Sequence, residues 1–300
     1  MNKLLRKTQS VSRFLSQRRK VLRKTQSVSR FLSQRRKVLR KTQSVSRFLS
    51  QRRKVLIVAN WKCNPTTIRE ALSLFEKVKY GTRKLKKAEV VVCPPFCFFS
   101  LFKKGLNLIL GGQNCFWEQS GAFTGEVSPA ILKSLGCQYV IVGHSERKFW
   151  LGETGEIINM KLKAAIFSQL KPIFCVGETE EERDMDNTQN IIQLQLENGL
   201  KNISKKEVEN IVIAYEPVWA IGSGRPCPVD EAQIMGLLIR KILTHLYNRN
   251  ISENIRILYG GSVNSKNAGE YVREARLQGL LVGGASLDAK EFIEIVKAVS

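Results

Sequence analysis

A chain of 300 residues, 43% of them hydrophobic, is long enough to bury one large core or two smaller ones. No run approaches the roughly 20 apolar residues of a membrane-spanning helix, which excludes a helical span. The formal charge of +23, from 49 Lys and Arg against 26 Asp and Glu, suggests an anionic partner only until it is located along the chain.

Most of it lies at the start. Residues 5–21, LRKTQSVSRFLSQRRKV, recur unchanged at 22–38 and at 39–55. Each copy carries six Lys or Arg and no acid; with Lys3 this accounts for 19 of the 49 basic residues and leaves 30 against 26 acids, a net of +4, in 56–300. Segment 1–54 is rich in Arg and Ser, with Val11, Phe14, Leu15, Val21 and Leu22 near helical spacing. Three readings stand: a mitochondrial or plastid transit peptide, a basic arm for nucleic acid or an anionic membrane, and a duplication without function. A secretory signal does not fit, because the apolar core of about 7–15 residues is missing. On every reading the extension cannot bury a core and is expected to be disordered or loosely helical. Joined at Val55, it is expected to leave the 55–300 domain at the end of the first strand remote from any site at the strands' C-terminal ends.

Beyond it, strand-like and helix-like patterns alternate. The apolar, β-branched run Val55–Ala59 is followed by Asn60-Trp61-Lys62. Ile68, Leu72, Phe75 and Val78 then sit at i, i+4, i+7 and i+10, a helix pattern. Runs at Val90–Cys93 and Leu106–Leu110 come next. Tyr139–Val142 leads into Gly143-His144-Ser145-Glu146, Pro172–Val176 follows, and Ile211–Tyr215 ends on Glu216. Ile234, Leu237, Leu238, Lys241, Ile242 and Leu246 mark a long amphipathic helix; His245 within it reads as a surface or packing residue. Arg256–Leu258 precedes Gly260-Gly261-Ser262, and Gly279–Val282 precedes Gly283-Gly284. Seven scattered cysteines, at 63, 93, 97, 115, 137, 175 and 227, point to reduced thiols. Cys93 and Cys97 have no histidine nearby, so no metal site is expected there.

Eight strands, apolar throughout and alternating with helices over about 250 residues, suit a closed parallel (β/α)8 barrel. The rival, an open doubly wound sheet, wants a G-x-G-x-x-G after its first strand, and Asn60-Trp61-Lys62-Cys63-Asn64 is not one. In a barrel the polar residues after strands one, four, six, seven and eight converge on one rim, where barrel enzymes keep their active sites and where the last two loops commonly bind phosphate. Taken singly, each has an ordinary structural use: Gly-Gly as a turn, Asn60 as a cap, Lys62 as a solvated charge, His144 as a satisfied core residue.

Taken together they suggest chemistry. Glu216 beside an apolar strand is a candidate general base, and His144 and Lys62 are candidates to stabilise a developing oxyanion. Ser145 lies in G-H-S-E-R rather than G-x-S-x-G, so no serine nucleophile is indicated. The set fits proton abstraction beside a carbonyl through an enediolate. Such an intermediate of a phosphorylated triose loses phosphate if exposed to water, so a lid is expected. Pro217-Val218-Trp219 and Gly222-Ser223-Gly224 flank a short tip suited to that role.

The stretches VANWKCN, GGQNCFWEQSGAFTGEVSP, YVIVGHSER, PIFCVGETEEER, IAYEPVWAIGSG, ILYGGSV and GLLVGGASL resemble, in order and over about 245 residues, the triosephosphate isomerase family. The resemblance implies a TIM barrel that interconverts dihydroxyacetone phosphate and D-glyceraldehyde 3-phosphate, a step of glycolysis and gluconeogenesis. It implies Glu216 as base, a neutral His144 as electrophile, Lys62 as the positive charge with Asn60 beside it, and Glu146 as a supporting carboxylate. Backbone amides at Gly222, Ser262, Gly283 and Gly284 are implied to hold the phosphate. The GAFTGE loop is implied to place Thr124 at a neighbouring subunit's site, making a homodimer. No metal, no organic cofactor and no nucleic-acid or membrane partner for the core are implied, and a cytoplasmic location unless the extension is a true transit peptide.

Departures from the family pattern are Pro65, Lys148 where a second arginine is common, and the lid sequence Gly222-Ser223-Gly224-Arg225-Pro226-Cys227-Pro228, in which Pro226 is expected to stiffen the C-terminal hinge. The alternative is a catalytically poor barrel tethered to nucleic acid or membrane by its basic arm.

Overall fold

The computed structural model describes residues 54–102 and 108–300. The expectations for the 1–54 extension therefore concern residues outside the described ones, Lys54 excepted, as do Leu106 and Asn107 of the third expected strand.

Eight parallel strands close into a barrel in sequence order: β1 (Val55–Asn60), β2 (Ala88–Cys93), β3 (Leu108–Gly112), β4 (Tyr139–Val142), β5 (Lys171–Val176), β6 (Val212–Tyr215), β7 (Arg256–Tyr259) and β8 (Gly279–Val282). β8 returns to pair with β1, Leu56 facing Gly279 and Ala59 facing Val282, so no sheet edge is left. The third strand runs on to Gly112, beyond the apolar run, because Gly111 and Gly112 pair with Tyr139 and Val140. Asn60 closes β1 as a strand residue opposite Cys93.

Side chains alternate between the two faces of each strand. One set fills the barrel: Leu56 and Val58, Val91 and Cys93, Tyr139 and Ile141, Ile173 and Cys175, Val212 and Ala214, Leu258 and Leu281. The other set, including Ile57, Val92, Val140, Ile213 and Ile257, packs outward under the helices. Burying each such aliphatic side chain contributes about 1.5–3 kcal/mol.

Helix starts follow local chemistry. Thr67, Ser128, Thr154, Thr179, Ser204 and Asp288 each accept a backbone N–H of the first turn, and Thr179 with Glu182 and Ser204 with Glu207 form reciprocal capping boxes. The helix Ile68–Thr82 buries Ala71, Leu74, Phe75 and Val78, but Ile68 is 56% exposed. Its apolar stripe is thus set by Ala71 and Leu74 rather than by the expected first residue. In the helix Val229–Leu246 the buried line is Ala232, Met235, Gly236, Ile239, Ile242 and Leu243, with Lys241 and His245 exposed. Ile234, Leu237 and Leu238 lie at the margin of that face, half-buried. Among the described residues no helix is long and apolar enough to cross a membrane.

At the N-terminal ends of the strands a polar cluster closes the barrel. Arg256 Nη1 lies 2.7 Å from Glu89 Oε2, and the Tyr139 hydroxyl donates to Glu89 Oε1 at 2.6 Å. Burial alone would raise the Glu89 carboxyl, but the Tyr139 and Arg256 donors outweigh it and hold it below its ordinary value.

Candidate active site

The inward set of residues continues past the packed layers. On β1 it runs Leu56, Val58, Asn60; on β6 it runs Val212, Ala214, then Glu216 at the first step beyond the strand. The period of two that builds the core therefore also carries an amide and a carboxylate to the rim over it. Glu216 is 1% exposed. Its backbone is wedged between two glycines: a Cβ on Gly177 would lie 1.7 Å from the Glu216 carbonyl oxygen, and one on Gly260 would lie 2.9 Å from Glu216 Cγ. Ladder bonds fix it further, Glu216 N–H donating to the Val176 carbonyl and Gly260 N–H to that of Tyr215.

After β4, Gly143 takes φ 71°, a left-handed turn that glycine adopts without strain, and His144 becomes the N-cap of the helix Ser145–Leu151. His144 Nδ1 accepts the Glu146 backbone N–H at 3.2 Å. That contact uses Nδ1 as an acceptor and leaves Nε2 to face the Glu216 side. That nitrogen stands 3.3 Å from Glu216 Oε1. The Ser145 N–H donates to Glu216 Oε2 at 3.0 Å, whereas Oε1 is buried without a hydrogen-bond partner. One carboxylate oxygen is thus held and the other is open to a proton.

Lys62 approaches from β1. Its φ of 53° is unusual for a residue with a side chain. Two bonds hold it there: Lys62 N–H donates to Asn60 Oδ1 at 3.1 Å, and Gln113 Nε2 donates to the Lys62 carbonyl at 2.8 Å. Gln113 also donates to the Cys93 carbonyl at 2.8 Å, tying the Lys62 loop to β2. Lys62 Nζ lies 2.5 Å from Glu146 Oε1, and Glu146 Oε2 lies 3.6 Å from His144 Nδ1. A Cβ on Gly283 would meet Lys62 Cε at 3.2 Å. Lys62, Glu146, His144 and Glu216 therefore form one continuous chain of contacts, with Gly283 at one end and Gly260 at the other.

The thiol of Cys175, in the layer beneath, is pushed well up by burial and by Glu216 beside it, so it stays protonated. Among the described residues no three His, Cys, Asp or Glu side chains gather as a metal-holding group.

The segment after Glu216 is anchored at both ends and open between. Val218–Ala220 forms a 3-10 turn; Trp219 Nε1 and the Tyr215 hydroxyl both donate to Glu178 Oε1, at 2.8 and 3.0 Å, and the Arg183 guanidinium covers the Trp219 ring at 3.9 Å. Burial raises the Glu178 carboxyl, against the pull of these donors. Ser262 Oγ donates to the Ala220 carbonyl at 2.7 Å. Residues Gly222 to Pro226 are exposed, with Gly222 and Gly224 at φ 69° and 71°. At the far end Cys227 is buried: its N–H donates to the Tyr259 hydroxyl at 3.1 Å and its carbonyl accepts from the Tyr271 hydroxyl at 2.5 Å. The two tyrosine rings stack at 3.8 Å. The far end is thus held by the tyrosine pair, with Pro226 exposed beside it.

Gly283 and Gly284 stand at the end of β8, where Gly284–Leu287 forms a 3-10 turn; Gly283 contacts Lys62 and Gly284 is exposed. Ser262 reaches the Val218–Ala220 turn through the Ala220 carbonyl, and Gly222 lies on the exposed Gly222–Pro226 segment. Gln113, the Ser145 amide and Glu178 are neighbours of the candidate site that the sequence did not single out; only the fold brings them there.

Known proteins match the sequence of residues 55–299 that builds this barrel. The family model described as triosephosphate isomerase matches residues 55–299. A curated relative from Dictyoglomus turgidum named triosephosphate isomerase is 45% identical over 246 residues, covering 81% of this chain and 98% of its own. Relatives of the same name from Dictyoglomus thermophilum and Alkaliphilus oremlandii are each 46% identical, covering 81% and 80% of this chain and 98% of their own. With a closed eight-stranded barrel, a carboxylate and an imidazole facing each other at its rim and this identity over the whole barrel, the chain belongs to the triosephosphate isomerase family.

Proposed function

We propose that Glu216, His144 and Lys62 carry the reaction of this chain, the interconversion of dihydroxyacetone phosphate and D-glyceraldehyde 3-phosphate. Glu216 Oε1 removes a proton from the carbon next to the carbonyl, and electrons move onto the carbonyl oxygen to give an enediolate. His144 Nε2–H donates toward that oxygen and moves a proton between the two oxygens. Lys62 offsets the developing charge. The Glu216 carboxylic acid then returns its proton to the neighbouring carbon, so the atoms balance with no oxidant or reductant. Asn60 holds Lys62, and the backbone amides of Gly222, Ser262, Gly283 and Gly284 take the phosphate, the first arriving as the lid closes.

The observation that supports this reading best is the 3.3 Å approach of His144 Nε2 to a carboxylate oxygen without a hydrogen bond. A coupled assay on the parent chain and on Glu216→Gln tests it: the variant should lose about 10³-fold or more in kcat while KM changes little, as expected when a base acting only in the transition state is removed. Full turnover by Glu216→Gln would overturn the assignment.

The same reading includes a homodimer. Gly121 to Glu126, with Thr124 near the tip, form an exposed loop, and Phe149 and Trp150, on the helix that follows His144, are 77% and 75% exposed. A second copy receiving that loop would cover apolar surface of this kind. Thr124→Arg should shift the sedimenting species to a monomer with reduced kcat; an unchanged dimer would remove Thr124 from the interface.

A further inference from the structure

We propose that Lys148 and Gln195 form a positioning bridge that sets the gap between His144 and Glu216; this rests on the reading of those two residues as electrophile and base. Gln195, on the helix Thr188–Gly199, grips the backbone of Gly177 twice, accepting its N–H and donating to its carbonyl, both at 2.9 Å. Gly177 is the first residue past β5, where the ladder with β6 has ended. It is also the glycine whose Cα abuts the Glu216 carbonyl so closely that a Cβ would sit 1.7 Å from it. The amide of Gln195 therefore fixes one wall of the slot that holds Glu216.

Lys148 joins that wall to the His144 side. It lies on the short helix that His144 caps, and its N–H bonds back to the His144 carbonyl at 3.2 Å. Its Nζ crosses to the end of β5, donating to the Cys175 carbonyl at 2.9 Å and to Gln195 Oε1 at 3.5 Å. Burial pulls its ammonium below its ordinary value, and Glu216 pulls it back up. The side-chain hydrogen bonds of Lys148 and Gln195 described here go to main chain and to each other. Both act on main chain at the end of β5, beside the strand that leads into Glu216, and a shift of about 1 Å in such a frame can cost as much as 10²-fold in rate.

The test uses the full chain with Lys148→Met, Gln195→Leu, Lys148→Arg and Glu216→Gln, each checked for folding by circular dichroism and thermal melting. Lys148→Met and Gln195→Leu should each lower kcat by about tenfold or more with KM within about twofold, because the phosphate-binding loops are untouched. In D2O both should also change the fraction of enediolate that takes up deuterium before product forms, a partition that a purely structural role would not move. Lys148→Arg, which keeps a cationic donor for the two oxygens, should recover most of the loss. Folded Lys148→Met and Gln195→Leu with kcat and partition unchanged would overturn the bridge. If Gln195→Leu does not fold, Gln195→Glu keeps the acceptor for Gly177 N–H and loses the donor to its carbonyl; unchanged kcat and partition there would overturn it equally. An inactive Glu216→Gln beside unaffected bridge variants removes the bridge alone, whereas an active Glu216→Gln removes the reading beneath it.

Discussion

Gly260→Ala is a one-methyl probe of the slot around Glu216. The new Cβ would stand 2.9 Å from Glu216 Cγ and 3.2 Å from the Tyr215 carbonyl, and the position is not in the left-handed region, so the backbone itself accepts alanine. To reach ordinary contact the carboxylate must retreat by about 0.5–1 Å, and overpacking of this size costs about 1–3 kcal/mol of stability. The same retreat disturbs the 3.0 Å bond from Ser145 N–H and the 3.3 Å approach to His144 Nε2. A displacement near 1 Å corresponds to about 10²-fold in kcat, or about 2.7 kcal/mol. kcat should fall by more than KM changes, since the new Cβ meets Glu216 and the Tyr215 carbonyl rather than Ser262 or Gly283. Steady-state kinetics in both directions, with a denaturant melt to confirm folding, measure both effects. A folded Gly260→Ala protein whose kcat stays within about threefold of the parent would refute the claim that Gly260 sets the position of the base.

Two further outcomes follow from packing and charge. Tyr271→Phe keeps the ring stacked on Tyr259 but strands the buried Cys227 carbonyl, so the denaturant midpoint should fall by the equivalent of about 1–3 kcal/mol; an unchanged midpoint would show that the anchoring of the chain at Cys227 does not depend on that hydroxyl. Glu89 is held below its ordinary 4.5 in the folded chain, so its contribution is present above that pH and is lost as pH falls below 4.5 toward the depressed folded value. The gap in melting temperature between the parent and Glu89→Gln should therefore be widest near neutrality and close on acidification, and a gap constant between about pH 3 and 7 would count against this account.

The strands were legible because a parallel barrel buries both faces and so writes each strand as an unbroken apolar run. The exceptions are instructive. Gly111 and Gly112 extend β3 with no side chain to announce it, and the helix Ile68–Thr82 turns its first apolar residue to solvent because Ala71 and Leu74 already cover the barrel wall. At the candidate site, Lys62, His144 and Glu216 were readable from their place just past a strand, and Asn60 closes one. Gln113, Gln195 and Tyr271 were not, since each is one polar group whose partners are main-chain atoms 18 to 51 residues away. Such partnerships leave no pattern in the sequence; they exist only once the barrel has closed.

The alternation that fills the barrel and then delivers Glu216 acts like a reading frame. A single residue inserted into β6 would present Tyr215 to the interior in its place, and no substitution elsewhere could restore the phase without a second insertion or deletion in the same strand. Strand length is therefore the quantity that the chemistry locks most tightly, while Ser223, Arg225 and Pro226 on the exposed tip lie beyond the frame.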